Sequence, residues 1–323
     1  MDARILYHAN CFDGCASAAL LSRFLEHRVG TRLSRIDFEP VQHSSGDPFP
    51  PDAFDGDLNA VVDFRYSASP RVDWWFDHHQ SAFQPPELRA HWEADRTGRR
   101  FWDPAAPSCT GFVARVARER FGFAAPDLDE LVRWADVIDA ASFPSASVAV
   151  RLEAPALRIM TLLEATRDPA VPTRIIEGMR SRPLADLARE PWVEEPLRPV
   201  LERHFRSIEA VRGATRVEGG VAFADLAAAG LEAGNKFVVY DLFPEARYAV
   251  VLSADAKRAK VSVGSNPWAR EARAHDIARI CERYGGGGHP VVGAVTLGPD
   301  RVADARRIAG EITAELRRRP EGA

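Results

Sequence analysis

The 323-residue sequence is poor in lysine: of its 42 basic residues only Lys236, Lys257 and Lys260 are not arginine. An arginine-favouring codon usage accounts for this without invoking function, although all three lysines lie in the C-terminal part. Cysteine is also scarce. Cys11, Cys15, Cys109 and Cys281 are spread along the chain without a CxxC pair. That excludes a disulfide framework and gives no structural zinc motif, so they read as reduced thiols. There is no apolar run of about 18 residues, so no membrane span is expected. The start, MDARILYHANCFDG, lacks the basic and apolar regions of a secretory signal, which makes a cytoplasmic location the default. Nor is there an excess of positive charge. With 46 acidic against 42 basic residues the net charge is -4, which argues against coating long duplex nucleic acid but leaves a short anionic substrate open.

What is present suits a globular protein: 46% hydrophobic and 27% charged residues. At roughly 150 residues per domain the length predicts two domains. ARILYH reads as a buried strand and CFDGCASAALLSRFLEH as a helix, with Asp13 and Gly14 at the turn. The strands LNAVVDF and VDWWFDHH follow, alternating with helical patterns that include 110–121 and 128–140. This alternation predicts an α/β domain with a parallel sheet over 1–150. Trp74 and Trp75, being adjacent, point to opposite faces of their strand, and core packing is expected for both. A helical connection is expected over 151–212, rich in charge and proline from Arg180 to Arg212, followed by a smaller α/β domain over 213–320. Its expected strands are GGVAFADL, KFVVYDL, YAVVLSAD, AKVSVGS and VVGAVTL, and its helices are AHDIARICERYG and VADARRIAGEITAELRR.

Ligands of parallel sheets bind beyond the carboxyl ends of the strands. His8 and Asp13 follow the first strand, Asp63 ends the second, and Asp77, His78 and His79 end the third. Asp136 and Asp139, three apart, share a helix face. Any one of these alone reads as a cap or a surface residue. Together they supply the converging carboxylates and imidazoles that a pair of divalent cations requires.

The motifs resemble those of the DHH phosphoesterase family: HANCFDG its first, VVDF its second, Asp77-His78-His79 its third and RWADVIDAASF its fourth. ERYGGGGHPVVGAVTL resembles the glycine-rich motif of the DHH-associated C-terminal domain, and AKVSVGSNPW occupies the place of its other substrate-side segment. The resemblance implies a phosphoesterase with two divalent ions, manganese above all, held by His8, Asp13, Asp63, Asp77, His79 and Asp136, with Asp139 the alternative to Asp136. It also implies that His78, alongside Asp77, acts on the scissile phosphate as a catalytic residue. One carboxylate of the first motif is missing. Either Cys11 takes its place, which would favour zinc or iron, or the thiol is simply a small buried residue.

The resemblance further implies substrate binding by Gly285, Gly286, Gly287, Gly288 and His289, with Ser265 and Asn266. A plain turn at these glycines would need only one or two of them. Gly264 stands where the family commonly has an arginine. Arg258, with Lys257 and Lys260, would compensate, or else forms a charged strand edge. The expected substrates are short oligonucleotides or nucleotide phosphates. A pyrophosphate or polyphosphate hydrolase, and a nucleotide-binding regulatory protein with weakened catalysis, are the alternatives; a homodimer is left open.

Overall fold

A computed structural model describes residues 1–30, 33–44, 46–228 and 234–318. The chain forms two compact units, 1–143 with 152–198 and 144–151 with 199–323.

The first unit holds β1 (Asp2–His8), α1 (Phe12–Val29), β2 (Arg35–Val41), β3 (Leu58–Val62), β4 (Trp74–Asp77), α2 (Leu88–Ala94), β5 (Arg100–Trp102), α3 (Cys109–Phe121) and α4 (Asp129–Asp139). Its strands run in the order β2-β1-β3-β4-β5 and every pairing is parallel. Every residue of β3 and β4 is buried, because helices and loops cover both faces of a parallel sheet and leave no polar side to the strand. Trp74 packs edge-on against Phe24 of α1 and Phe121 of α3, whereas Trp75 meets Tyr66 and Phe83. The two tryptophans thus anchor opposite layers of the core, as their adjacency requires. Ser108 caps α3 by accepting from Gly111 N–H, and Gly122 ends it in the left-handed conformation.

After α5 (Ala146–Arg151) come α6 (Pro155–Ala165), α7 (Ala170–Met179), α8 (Leu184–Leu187) and α9 (Pro191–Ala214). The segment 152–198, expected as part of a helical connection between the domains, belongs to the first unit. Leu157, Ile159, Leu162 and Leu163 of α6 are buried, and α6 packs on α1, α4, α7 and α8. Apolar burial therefore draws this segment into the first unit, and the division between units falls inside α9, at 198/199.

In the second unit β6 (Thr215–Glu218), β7 (Val221–Asp225), β8 (Tyr248–Ala254), β9 (Ala259–Ser265), β10 (Gly287–His289) and β11 (Val292–Leu297) form a mixed sheet, ordered β10-β11-β9-β8-β7-β6. The helices α10 (Val238–Leu242), α11 (Ile277–Glu282) and α12 (Val302–Leu316) complete it. KFVVYDL is the element that departs from expectation: it is α10, not a strand. Asn235 accepts from Phe237 N–H and donates to Ala149 O of α5. That side chain turns the backbone into a helix, and an apolar run this short carries no period to contradict it. No helix among the described residues is long and apolar enough to cross a membrane.

Candidate metal centre

The strand order places the carboxyl ends of β1, β3 and β4 side by side. His8 ends β1, Asp63 follows β3, and Asp77 ends β4 with His78 and His79 directly after it. Asp63 takes a left-handed backbone, φ 55°, a conformation that short acidic side chains tolerate and that turns the chain sharply at the strand end. Asp13 enters from the first turn of α1. A Cβ on Gly14 would lie 2.2 Å from the His8 carbonyl, so only glycine lets α1 begin this close to β1. Asp139, the last residue of α4, reaches in from a more open side.

His78 Nε2 lies 3.3 Å from Asp139 Oδ2, 3.5 Å from Asp63 Oδ1 and 3.8 Å from Asp13 Oδ2. His8 Nδ1 lies 3.4 Å from Asp63 Oδ2, and His79 Nδ1 3.8 Å from Asp63 Oδ1. Three overlapping ligand sets result: His8, Cys11 and Asp63; Asp63, His78 and His79; Asp13, His78 and Asp139. Among the described residues ten buried side-chain polar atoms lack a hydrogen-bond partner, and five of them are here: His8 Nδ1, both Asp63 oxygens, Asp77 Oδ2 and His78 Nε2. Buried polar atoms are almost always paired. All but Asp77 Oδ2 face one another at distances that suit a shared cation, so the donor set fits divalent metal ions.

The supports behind these atoms are made. His78 Nδ1 lies 3.0 Å from the Ala106 carbonyl, which fixes it as the donor and leaves Nε2 as the free lone pair. Asp77 Oδ1 accepts from His78 N–H and His79 N–H and pairs with His79 Nδ1 at 2.7 Å. Asp13 accepts from Cys109 N–H, Thr110 N–H and Thr110 Oγ1 at the start of α3.

Burial and mutual proximity shift the titration of these groups. Burial, then Asp63 and Asp139, pushes the Asp13 carboxyl well above the usual range. Burial also raises Asp77 and Asp139. Burial opposes ionisation of Asp63 too, but the approach of His78 and His8 outweighs it and holds the group at about 2. For both histidines burial favours the neutral form, yet Asp63 carries His78 up to about 10 and Asp77 carries His79 up to about 9. An unfolded histidine releases its proton near pH ~6.5. The native metal-free protein therefore keeps protons that the unfolded chain has lost, and its stability falls as pH rises from ~6.5 through 9 and 10. The depressed Asp63 acts at the other end, adding stability above pH ~4 that is lost as pH falls through 2. Calorimetric melting of metal-stripped protein from pH 6 to 10 checks this; a constant or rising Tm contradicts it.

Two solved structures share this architecture. The pGpG-specific phosphodiesterase PggH from Vibrio cholerae matches with a TM-score of 0.70 at 19% identity, over 98% of this chain and 99% of that one. The DHH domain of a member of a ribosomal-protein family matches with a TM-score of 0.52 at 13% identity, over 99% of this chain and 87% of that one. The chain has the DHH-domain fold. No protein-family model matches it, and no curated protein does.

Within this DHH fold the expected residues do not all meet. His8, Cys11, Asp13, Asp63, His78, His79 and Asp139 converge, and Asp77 braces them. Asp136 does not join them: its Oδ1 accepts from Ser108 Oγ at 2.6 Å. One turn back along α4 it faces the start of α3, where Gly111 leaves room for it. Both histidines stand in the cluster, but differently from each other. His78, expected over the metals, has its free nitrogen among three carboxylates and a side chain only 9% exposed; His79, expected as a ligand, is held by Asp77 and 33% exposed.

In the second unit Arg258 pairs with Asp255 at the start of β9, and Ser265 is at that strand's other end. About 3.3 Å per residue separates them by roughly 20 Å, so Arg258, Lys257 and Lys260 do not replace an arginine beside Ser265. Gly264 is a glycine because a Cβ there would press on Tyr240 Oη at 2.7 Å. Asn266 spends its Nδ2 on the Pro244 and Ala246 carbonyls and Ser265 donates to Val291 O, so both hold turns together. The row Gly285–Gly288 is largely explained by backbone geometry. Gly285 has φ 74°, and a Cβ on Gly286 or Gly288 would meet a β11 carbonyl at 2.2 Å; a plain turn between α11 and β11 thus needs more of them than the one or two expected. His289 is exposed. Two neighbours of the cluster were not anticipated. His43 follows β2, a strand missed because its alternation is broken by Pro40, and Arg65 lies two residues beyond Asp63.

Proposed function

We propose that the chain is a metal-dependent phosphoesterase that hydrolyses short oligonucleotides or nucleotide phosphates. The observation that carries this reading is the convergence of His8, Cys11, Asp13, Asp63, His78 and Asp139 around buried, unpartnered nitrogen and oxygen atoms. Divalent cations held there would lower the pKa of a water and offset charge on phosphoryl oxygens. Asp63 serves both sides of the cluster, His8 with Cys11 on one side and His78 with Asp13 and Asp139 on the other. The Ala106 carbonyl keeps the His78 lone pair aimed at this point. His79, oriented by Asp77 and the more open of the two histidines, gives a proton to the leaving oxygen. The net charge of -4 favours a short substrate over a processive exonuclease track, and likeness to a pGpG-specific phosphodiesterase supports a dinucleotide. Arg258, at the far end of β9, adds no charge to the segment at Ser265.

Hydrolysis of a 5′-phosphorylated dinucleotide, a 5-mer, a cyclic dinucleotide, 3′-phosphoadenosine 5′-phosphate and pyrophosphate, with manganese, zinc or no metal, tests the reading. Metal-dependent cleavage of the short nucleotides ahead of pyrophosphate is the expected result. Binding of nucleotide without cleavage under any metal would overturn it in favour of a regulatory protein.

A further inference from the structure

Arg65 is 6% exposed. Nη1 donates to Gln84 Oε1 at 3.1 Å and Nη2 to the Ser44 carbonyl at 3.0 Å, both neutral acceptors. Nε is buried and has no partner. Among the described residues no carboxylate lies within ion-pairing distance of it. An arginine this deeply buried in an ordinary core would be expected to have a counter-charge, since a buried guanidinium without one is strongly disfavoured. An anion from outside the chain would supply that counter-charge.

The surroundings say where that anion would belong. The Arg65 guanidinium lies 5.8 Å from the centre of the Phe64 ring. His43 stacks on the same ring at 4.8 Å, 27° from parallel, and stands edge-on to His8 at 5.0 Å. Phe64 itself is fully buried and so is a fixed spacer between Arg65 and the cluster. Arg65 and the exposed His43 thus border the cluster without entering it. A phosphate being hydrolysed would occupy the cluster; a second phosphate of the same molecule would reach Arg65.

We propose that Arg65, assisted by His43, binds a substrate phosphate that is not hydrolysed, and so selects nucleotides bearing a terminal phosphomonoester. The inference rests on the phosphoesterase reading and names the substrate feature it requires. Arginine suits the task because its planar fork matches a phosphate in two directions at once, and Gln84 and Ser44 set that fork in advance.

The test compares kcat/KM for a dinucleotide with and without its 5′-phosphate in the wild type, Arg65→Gln and His43→Ala. The wild type is expected to prefer the phosphorylated form by about tenfold or more, as a charge-assisted bidentate contact would give. Arg65→Gln is expected to bring that ratio close to one, and the surface change His43→Ala to reduce it by a smaller factor. A wild-type ratio near one overturns the inference. So does an equal loss on both substrates in Arg65→Gln, which would make Arg65 a clamp between the segments of Ser44 and Gln84. If neither dinucleotide is cleaved by the wild type, the phosphoesterase reading fails instead, and calorimetric titration still reads the subsite. Adenosine 5′-monophosphate should then bind Arg65→Gln about tenfold more weakly than the wild type, with inorganic phosphate showing whether the nucleoside is needed. Unchanged affinity for both would overturn the inference.

Discussion

Asp63→Asn is expected to lower turnover at least ~10³-fold and to abolish tight metal retention while the fold survives. The residue's two oxygens are buried and unpartnered, and they face His8 on one side and His78 and His79 on the other. Among the described residues no other carboxylate belongs to two of the three ligand sets. Asparagine keeps the shape and the short polar side chain that tolerates the left-handed backbone at this position, so the change removes charge and one ligand oxygen with little strain. A loss of ~4 kcal/mol of transition-state stabilisation, the scale expected of metal-ion catalysis, corresponds to that factor. Metal content after dialysis, a melting curve and kcat together check it. Turnover above a tenth of wild type, with metal retained, would remove Asp63 from the centre of the scheme.

Cys11→Asp is expected to shift metal preference from zinc toward manganese by about 10- to 100-fold. Cys11 stands at the N-cap of α1 with its sulfur grouped with His8 and Asp63. Burial, then Asp63 and Asp13, pushes its thiol well above the ordinary range, so in the metal-free protein the sulfur is neutral. A thiophilic cation would displace that proton and gain a soft ligand, whereas a carboxylate in the same place suits harder ions. Competitive loading with equal zinc and manganese, read by elemental analysis, gives the ratio for each protein. An unchanged ratio would mean that Cys11 packs against the cluster and binds nothing.

The side chains of the cluster were largely legible in the sequence because strand ends are local features. A continuous apolar run such as LNAVV announces a buried strand, and the first polar residues after it fall at the sheet's carboxyl edge wherever the chain later goes. That reasoning found His8, Asp13, Asp63, Asp77 and both histidines. It failed for choices between neighbours. Asp136 and Asp139 lie on one helix, and only the packing of α4 against α3 assigns Asp136 to Ser108 and Asp139 to the cluster. His78 and His79 are adjacent, and the Ala106 carbonyl and the Asp77 carboxylate, not sequence order, decide which aims its free nitrogen at the carboxylates. Arg258 was expected either to compensate for the missing arginine or to form a charged strand edge; the extended strand puts roughly 20 Å between it and Ser265.

The sequence by itself determined the parallel α/β architecture, the layers occupied by Trp74 and Trp75, and the chemistry gathered at one sheet edge, since these follow from periodicity and residue type over a few positions. Tertiary structure alone decided that Asp63 is shared by two of the ligand sets, that α6 to α8 belong to the first unit, and that Arg65 is buried with no carboxylate within ion-pairing distance among the described residues. Those outcomes depend on which side chains the folded chain brings together from distant positions and on which atoms it withdraws from water, and neither is a property of any local stretch.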